Sequence, residues 1–250
     1  MKTLIFLVAG LATFASFAAT TNAAPGKVPV EGAYIFQPGT QKGVIGIVNA
    51  QTRVKPDDFR ALVDNFAKRR YYNVQFSEGE PVTPETATDA MAKAGYNVAV
   101  FLVDNEKSPL TVLVAPEQNW AILNVAAVTK DAASPAFAAA RTRKELLRAF
   151  LCAAGAMSSE FGGGLMAPIK SPAELDKILE DPPFDVQNRV AATLKSVGVT
   201  PKRRVIYVVA CKEGWAPEPQ TEWQKLMWQR VHDAKERGPA NALKIVPPKK

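Results

Sequence analysis

Arg148-Ala149-Phe150-Leu151-Cys152-Ala153-Ala154-Gly155-Ala156-Met157-Ser158 is the stretch on which the reading of this chain turns. Arg148 and Cys152 stand four residues apart, so on a helix they share one face. Gly155 comes one turn later, where a helix can break and the chain can turn. Ser158 follows three residues on. The frame continues through Ser159, Glu160 to Gly163, Gly164 and Leu165 to Met166. Two metal-ligating side chains four residues apart on a helix could aim at one ion. Here Arg148 and Cys152 offer a guanidinium and a thiol.

The surroundings set this helix in an α/β plan. Gly43 to Val48 is a short apolar run suited to a buried strand. Pro56-Asp57-Asp58 opens a helix on Phe59, Leu62, Val63 and Phe66, ending near Arg69-Arg70. Asn73 to Phe76 alternates as a strand does. Thr83-Pro84-Glu85 starts a helix through Lys93, stopped by Gly95. Asn97 to Val103 is the next buried strand. Leu110 to Ala115 and Trp120 to Val125 read as two strands joined by Pro116-Glu117-Gln118-Asn119. Pro135 to Met157 is then a long helix, with Phe137, Leu146, Leu147, Phe150, Leu151 and Ala154 on its apolar face. Arg141, Arg143 and Lys144 fall on the other side. Beyond it, Ser171-Pro172-Ala173-Glu174 has the form of a helix start, and Pro183 to Val197 is a helix ended at Gly198. Val205 to Ala210 is strand-like. Thr221 to Arg237 is an amphipathic helix with Trp223, Leu226, Met227 and Val231 on one stripe.

Archaemetzincins carry H-E-x-x-H-x-x-G-x-x-H-C-x4-C-x-M at the spacing of residues 148–166. The segment therefore resembles an archaemetzincin, a zinc protease of the metzincin fold, from which the zinc ligands and the catalytic Glu have gone. The resemblance places Arg148 at the first ligand position, Ala149 at the general base, Cys152 at the second ligand and Ser158 at the third. Gly155 matches the turn glycine and Met166 the Met-turn methionine; Ser159 and Gly164 stand where cysteines would bind a structural zinc. Only Gly155 and Met166 keep the family's residues. The likeness spans roughly residues 43–180 and implies a mixed twisted sheet with packed helices and a mainly helical C-terminal part. It also implies an edge strand lying over the site helix, at Leu110–Ala115 or Trp120–Val125. Asn119, Trp120 and Arg148 are then the exposed candidates for binding over the old cleft.

The N-terminus has the pattern of a secretory leader. Lys2 precedes an apolar stretch from Leu4 to Ala19, and Thr20-Thr21-Asn22-Ala23-Ala24 offers a cleavage site after Ala23. The expected organisation is a leader at 1–23, a loose Pro- and Gly-bearing lead-in at 24–42, a metzincin-like domain at 43–180 and a helical extension with a basic tail at 181–250. No other stretch is long and apolar enough to span a bilayer. Export, periplasmic or extracellular, is the expected location. With two cysteines, Cys152 and Cys211, one disulfide is open, but mid-helix Cys152 on a core face reads equally as a free thiol.

Charge is uneven. Residues 200–250 hold 11 Lys/Arg against 5 Asp/Glu, whereas residues 25–199 hold 19 of each. The basic excess suits an anionic envelope surface as partner, or simply a solvated face. No aromatic-basic nucleic-acid motif is present.

Several chemistries are excluded. One histidine, His232, cannot make a three-histidine zinc site, so no zinc or other cofactor is expected. Met157-Ser158-Ser159-Glu160 lacks the glycines of a nucleophile elbow, and Gly162-Gly163-Gly164 follows a helix and lacks a phosphate loop's Lys-Ser/Thr. A Cys-His nucleophile using Cys152 or Cys211 with His232 stays formally open. Glu31, Asp104, Glu106, Asp131 and Glu160 sit at loops or element ends, with no reason in the sequence to pair any two. The leading expectation is an exported, non-catalytic protein whose cleft binds an extended peptide or glycan. The alternatives are an exported hydrolase using carboxylates and a structural envelope protein held to anionic polymer.

Overall fold

The computed structural model describes residues 31–53, 70–157, 164–180 and 184–236. The expected leader, the helix expected over Phe59–Phe66, Ser158 with Ser159 and Glu160, and the tail beyond Glu236 lie outside the described residues. The described residues fall into two compact units: Tyr34–Ile206, and a smaller one made of 31–33 and 207–236.

The larger unit is built on strands β1 (Tyr34–Phe36), β2 (Ile45–Asn49), β3 (Val74–Glu78), β4 (Val98–Val103), β5 (Val112–Ala115), β6 (Trp120–Asn124) and β7 (Arg204–Ile206). Five of them form a mixed sheet in the order β3-β2-β4-β6-β5, with β5 alone antiparallel to its neighbour. β2, β4 and β6 are almost wholly buried because both faces are covered, which is why they read as continuous apolar runs. On one face Ile45, Ile47, Val98, Val100, Leu102, Ala121 and Leu123 pack against the long helix α3 (Pro135–Ala153). On the other, Val48, Ala99, Phe101, Trp120 and Ile122 lie under α1 (Ala87–Lys93), which buries Ala87. Gly46 in β2 has no alternative: a Cβ there would run into the Tyr96 ring, whose hydroxyl reaches Ser77. Two further helices, α2 (Val125–Thr129) and α4 (Phe184–Ser196), complete this unit.

The mixed α/β architecture is as expected, and several elements differ. Strand β1 lies inside the stretch read as a loose lead-in and pairs antiparallel with β7. Trp120–Val125 is not an edge: β6 is interior, and β5 is the edge. Ser171 makes no side-chain cap. The segment after it is a five-residue 3₁₀ turn (Pro172–Asp176), and Glu174 instead accepts from the backbone N–H of Lys170. The run Val205–Ala210 divides: its start is β7, and from Tyr207 it becomes helix α5 (Tyr207–Glu213). There Tyr207, Ala210 and Cys211 bury one face at a spacing of three and four.

The smaller unit joins α5 to α6 (Glu222–Glu236). Its buried polar group is Gln224, which donates to Gly32 O and accepts from Gln220 N. Tyr207 donates its hydroxyl to Pro217 O, and burial pushes its pKa up to about 12, with Cys211 adding to the shift.

Candidate functional site

The site helix begins at a capped end. Ser134 accepts from Phe137 N, and Pro135 occupies the first turn, where its missing N–H costs nothing. It ends in a Schellman motif: Ala156 N–H donates to Leu151 O and Gly155 N–H to Cys152 O. Gly155 has φ +79, and a Cβ on it would meet Thr193 Oγ1 at 3.0 Å, so both backbone and packing demand glycine. The helix therefore stops at Ala153, short of the expected Met157, and the chain turns away before Ser158.

Four polar residues make one stripe along α3 at intervals of four, three and four: Arg141, Glu145, Arg148 and Cys152. Arg141 is buried and grips Asp176 with two bonds, Nε to Oδ1 at 2.9 Å and Nη2 to Oδ2 at 2.7 Å; its Nη1 donates to Lys130 O. Arg148 donates through Nη1 to the carbonyls of Leu165 and Ala167, the two residues flanking Met166. Met166 itself is in the core. Arg148 Nε lies 2.9 Å from Glu145 Oε2, an ion-pair distance without hydrogen-bond alignment. Lys144 Nζ adds a bond to Leu175 O, and Arg143 pairs with Glu180. The cations expected on a solvent side thus fasten residues 165–180 across the helix.

The electrostatics follow from burial. Burial raises the Glu145 carboxyl above its ordinary pKa, against the pull of Arg148 and of Thr111 at the foot of β5. Burial likewise pushes the half-buried Cys152 thiol up, with Arg148 opposing. Asp176, bonded to Arg141, is held below the usual carboxylate range.

The expected binding trio does not assemble as exposed groups. Trp120 is 3 % exposed and belongs to the sheet face under α1, opposite α3; its indole donates to Gln118 and Thr88. The alternation that puts Ala121 and Leu123 against α3 requires this. Asn119 sits half-buried in a left-handed turn position after the 3₁₀ turn Pro116–Gln118, with its carbonyl accepting from Ala99. Arg148 points to the Met166 turn. Ala149, at the base position, is 1 % exposed in the core. Ser158 lies outside the described residues.

The donor set does not fit a zinc ion. A guanidinium bonded to two carbonyls, a core methyl and a thiol made reluctant to ionise cannot replace imidazoles and a carboxylate. Among the described residues no group of three His, Cys, Asp or Glu side chains is placed to hold a metal. His232 stacks on Trp228 at 4.4 Å on the smaller unit's α6, while Cys152 belongs to the larger unit. Cys152 and Cys211 are both free thiols. Asp104 and Glu106 share the exposed Arg53; Glu106 is exposed, whereas Asp104 is mostly buried and its Oδ1 has no hydrogen-bond partner.

Sequence reading missed Glu145, Thr111, Arg141 and Asp176. The spacing of Arg141, Glu145, Arg148 and Cys152 was there to be read as a polar seam. Asp176 and Thr111 reach it only through the fold.

The sequence matches no known protein family, and no curated protein matches it. The structure is similar to an archaemetzincin from Methanopyrus kandleri, with 14% identity, 64% of this chain and 99% of that one covered, and a TM-score of 0.49. It is also similar to a zinc-dependent peptidase from Methanocorpusculum labreanum (12%, 58% and 99%, TM-score 0.47) and to an archaemetzincin from Archaeoglobus fulgidus complexed with malonate (12%, 58% and 99%, TM-score 0.43). Likeness at this level carries neither a family nor a chemistry across to this chain.

Proposed function

We propose that this is an exported, non-catalytic protein of metzincin-like layout that binds an extended peptide. The observation that carries the reading is Arg148. A fixed positive charge occupies the first ligand position and is spent on the carbonyls either side of Met166. With Ala149 in the core beside it, neither a metal nor a general base has room, so hydrolysis of the zinc-protease kind is lost.

What remains for binding is the edge. Asn124 N–H donates to Thr111 O, so in the alternation of an antiparallel pair Leu113 and Ala115 bond to β6 while Val112 and Val114 direct their N–H and C=O outward. Among the described residues no strand pairs with that outer edge. A peptide can add there as a further strand, and this mode needs no catalytic group.

The test is hydrogen exchange on the full chain mixed with tryptic casein peptides. The Val112 and Val114 amides should become protected while casein stays uncleaved with or without added zinc. Unchanged exchange at both amides would remove the peptide-binding reading; cleavage lost on chelation would remove the non-catalytic one. The second reading, a structural envelope protein, is favoured by the packed state of the helix stripe, where Glu145 and Arg148 are both largely buried.

A further inference from the structure

The two-stranded ribbon of β1 and β7 carries a surface separate from the α3 site. Its register pairs Tyr34 with Ile206, Ile35 with Val205 and Phe36 with Arg204. Alternation puts Tyr34, Phe36, Arg204 and Ile206 on one face and turns Ile35 and Val205 inward. That outer face is open to solvent: Tyr34 is 54 % exposed, Phe36 42 % and Ile206 43 %. The Arg204 guanidinium lies over the Tyr34 ring, 4.2 Å from its centroid. The Phe36 ring meets Tyr71 edge-on at 4.9 Å.

The patch is rigidly built. Three segments distant in sequence are knitted by backbone bonds: Thr200 and Lys42 exchange two, Lys202 N–H donates to Tyr71 O, and Gln37 N–H donates to Arg203 O. Gln41 and Thr40 add side-chain bonds to Tyr71 O and to Arg203 N–H. Tyr71 itself is held at φ +61, a left-handed conformation that a tyrosine rarely adopts. The fold therefore stores strain to hold this ring where it meets Phe36.

The charge is one-signed. Residues 34–46, 70–74 and 199–206 contain Lys42, Arg70, Lys202, Arg203 and Arg204 and no Asp or Glu. Flat aromatic rings beside guanidinium groups suit a ligand that presents C–H ring faces and carries carboxylates or sulfates. The ribbon, three residues by two strands, measures about 10 Å by 5 Å at ordinary strand spacings. That is far below the roughly 800 Å² each partner contributes to a stable protein complex. Nor does the face offer a lipid much to hold, since only Phe36 and Ile206 on it are purely apolar. We propose that the β1–β7 face binds an anionic polysaccharide, with Tyr34 and Phe36 as sugar platforms and Arg204 as a charge contact.

Affinity electrophoresis of the full chain through gels containing polygalacturonate, against gels containing uncharged dextran, tests this. Retardation is expected in the acidic polymer. Tyr34→Ala and Phe36→Ala should each weaken it about tenfold, the scale of one lost stacking contact, and Tyr34→Phe should restore it. Arg204→Gln should weaken binding and flatten its salt dependence. All three positions are surface, and matching thermal melts will show that the variants fold. Equal retardation of the parent and both alanine variants would overturn the proposal in favour of diffuse charge. So would tighter binding, lost in the same variants, to phosphatidylserine vesicles or to oligothymidylate. Because the ribbon does not include β5, this result is independent of the peptide test.

Discussion

Arg148 shows how one side chain can tie a helix to the turn beside it. A guanidinium offers five donors in a plane, and here one nitrogen satisfies two carbonyls of the Met166 turn while another faces Glu145. Removing it leaves a buried carboxylate with no counter-charge, which is dearer than losing the pair together. Arg148→Met should cost about 3 kcal/mol, and the double variant Glu145→Gln/Arg148→Met clearly less than the sum of the singles, measured by urea unfolding of all four proteins. Glu145 also has a pH signature. Its folded pKa is raised by burial above an ordinary 4.5, so its contribution to stability is full below that pH and is lost as pH rises through the folded value. Asp176 acts oppositely: its lowered pKa gives stability present above an ordinary 3.8 and lost as pH falls through the folded value. Glu145→Gln should flatten the decline on the upper side and leave the acid limb intact. A decline unchanged in that variant would assign it to another group. These two acids bear differently on legibility: Glu145 belongs to a seam whose spacing is visible in the sequence, whereas Asp176, 35 residues from Arg141, is paired only by the turn after Met166.

At the level of elements, Gly198 ends its helix as expected, whereas Gly155 ends α3 short of the expected Met157. Both glycines are left-handed, at φ +82 and +79. Gly155→Ala should destabilise the protein by about 1–2 kcal/mol, since the strain of positive φ adds to contact with Thr193; Gly95→Ala, at φ +73 with nothing within 4 Å of the added Cβ, should cost less. Comparing the two denaturation midpoints separates crowding from backbone strain. The poorly read elements were short ones. The Ser171-Pro172-Ala173-Glu174 signal starts a helix elsewhere, yet here Glu174 turns back to Lys170 N and Leu175 drops into the core, leaving one 3₁₀ turn. Val205–Ala210 looks like a strand because valine and isoleucine favour strands, but the register with β1 runs out at Ile206 and helical burial takes over.

For the whole molecule, charge and pH behaviour divide between the two units. The basic excess of residues 200–250 is not on α6, where three Lys/Arg between Glu222 and Glu236 meet three Asp/Glu. It lies in Lys202-Arg203-Arg204 at the β7 strand and in the tail beyond Glu236. Changing Lys225, Arg230 and Lys235 to Gln should therefore leave binding to anionic polymer nearly unchanged, while Arg204→Gln should reduce it. In the smaller unit Tyr207 has its folded pKa raised to about 12. Its stabilising share is full below the ordinary tyrosine value of 10.0 and is lost as pH rises towards 12. Alkaline titration followed by far-ultraviolet circular dichroism should show a helical loss in that window, and Tyr207→Phe should remove that step.

The sequence by itself determined the element types of the sheet, the long helix and the absence of a three-histidine ligand set. These depend on residue identity and on local periodicity, which survive without knowledge of the fold. Only the tertiary structure decided which face each side chain took. Trp120 went under α1 because the alternation along β6 turns Ala121 and Leu123 to α3, and Arg141, Lys144 and Arg148 found partners because residues 165–180 fold back against the helix. The aromatic and basic residues of the β1–β7 face meet through a register spanning some 170 positions. Long-range pairing of that kind leaves no periodic trace, since each partner is an ordinary surface residue within its own segment.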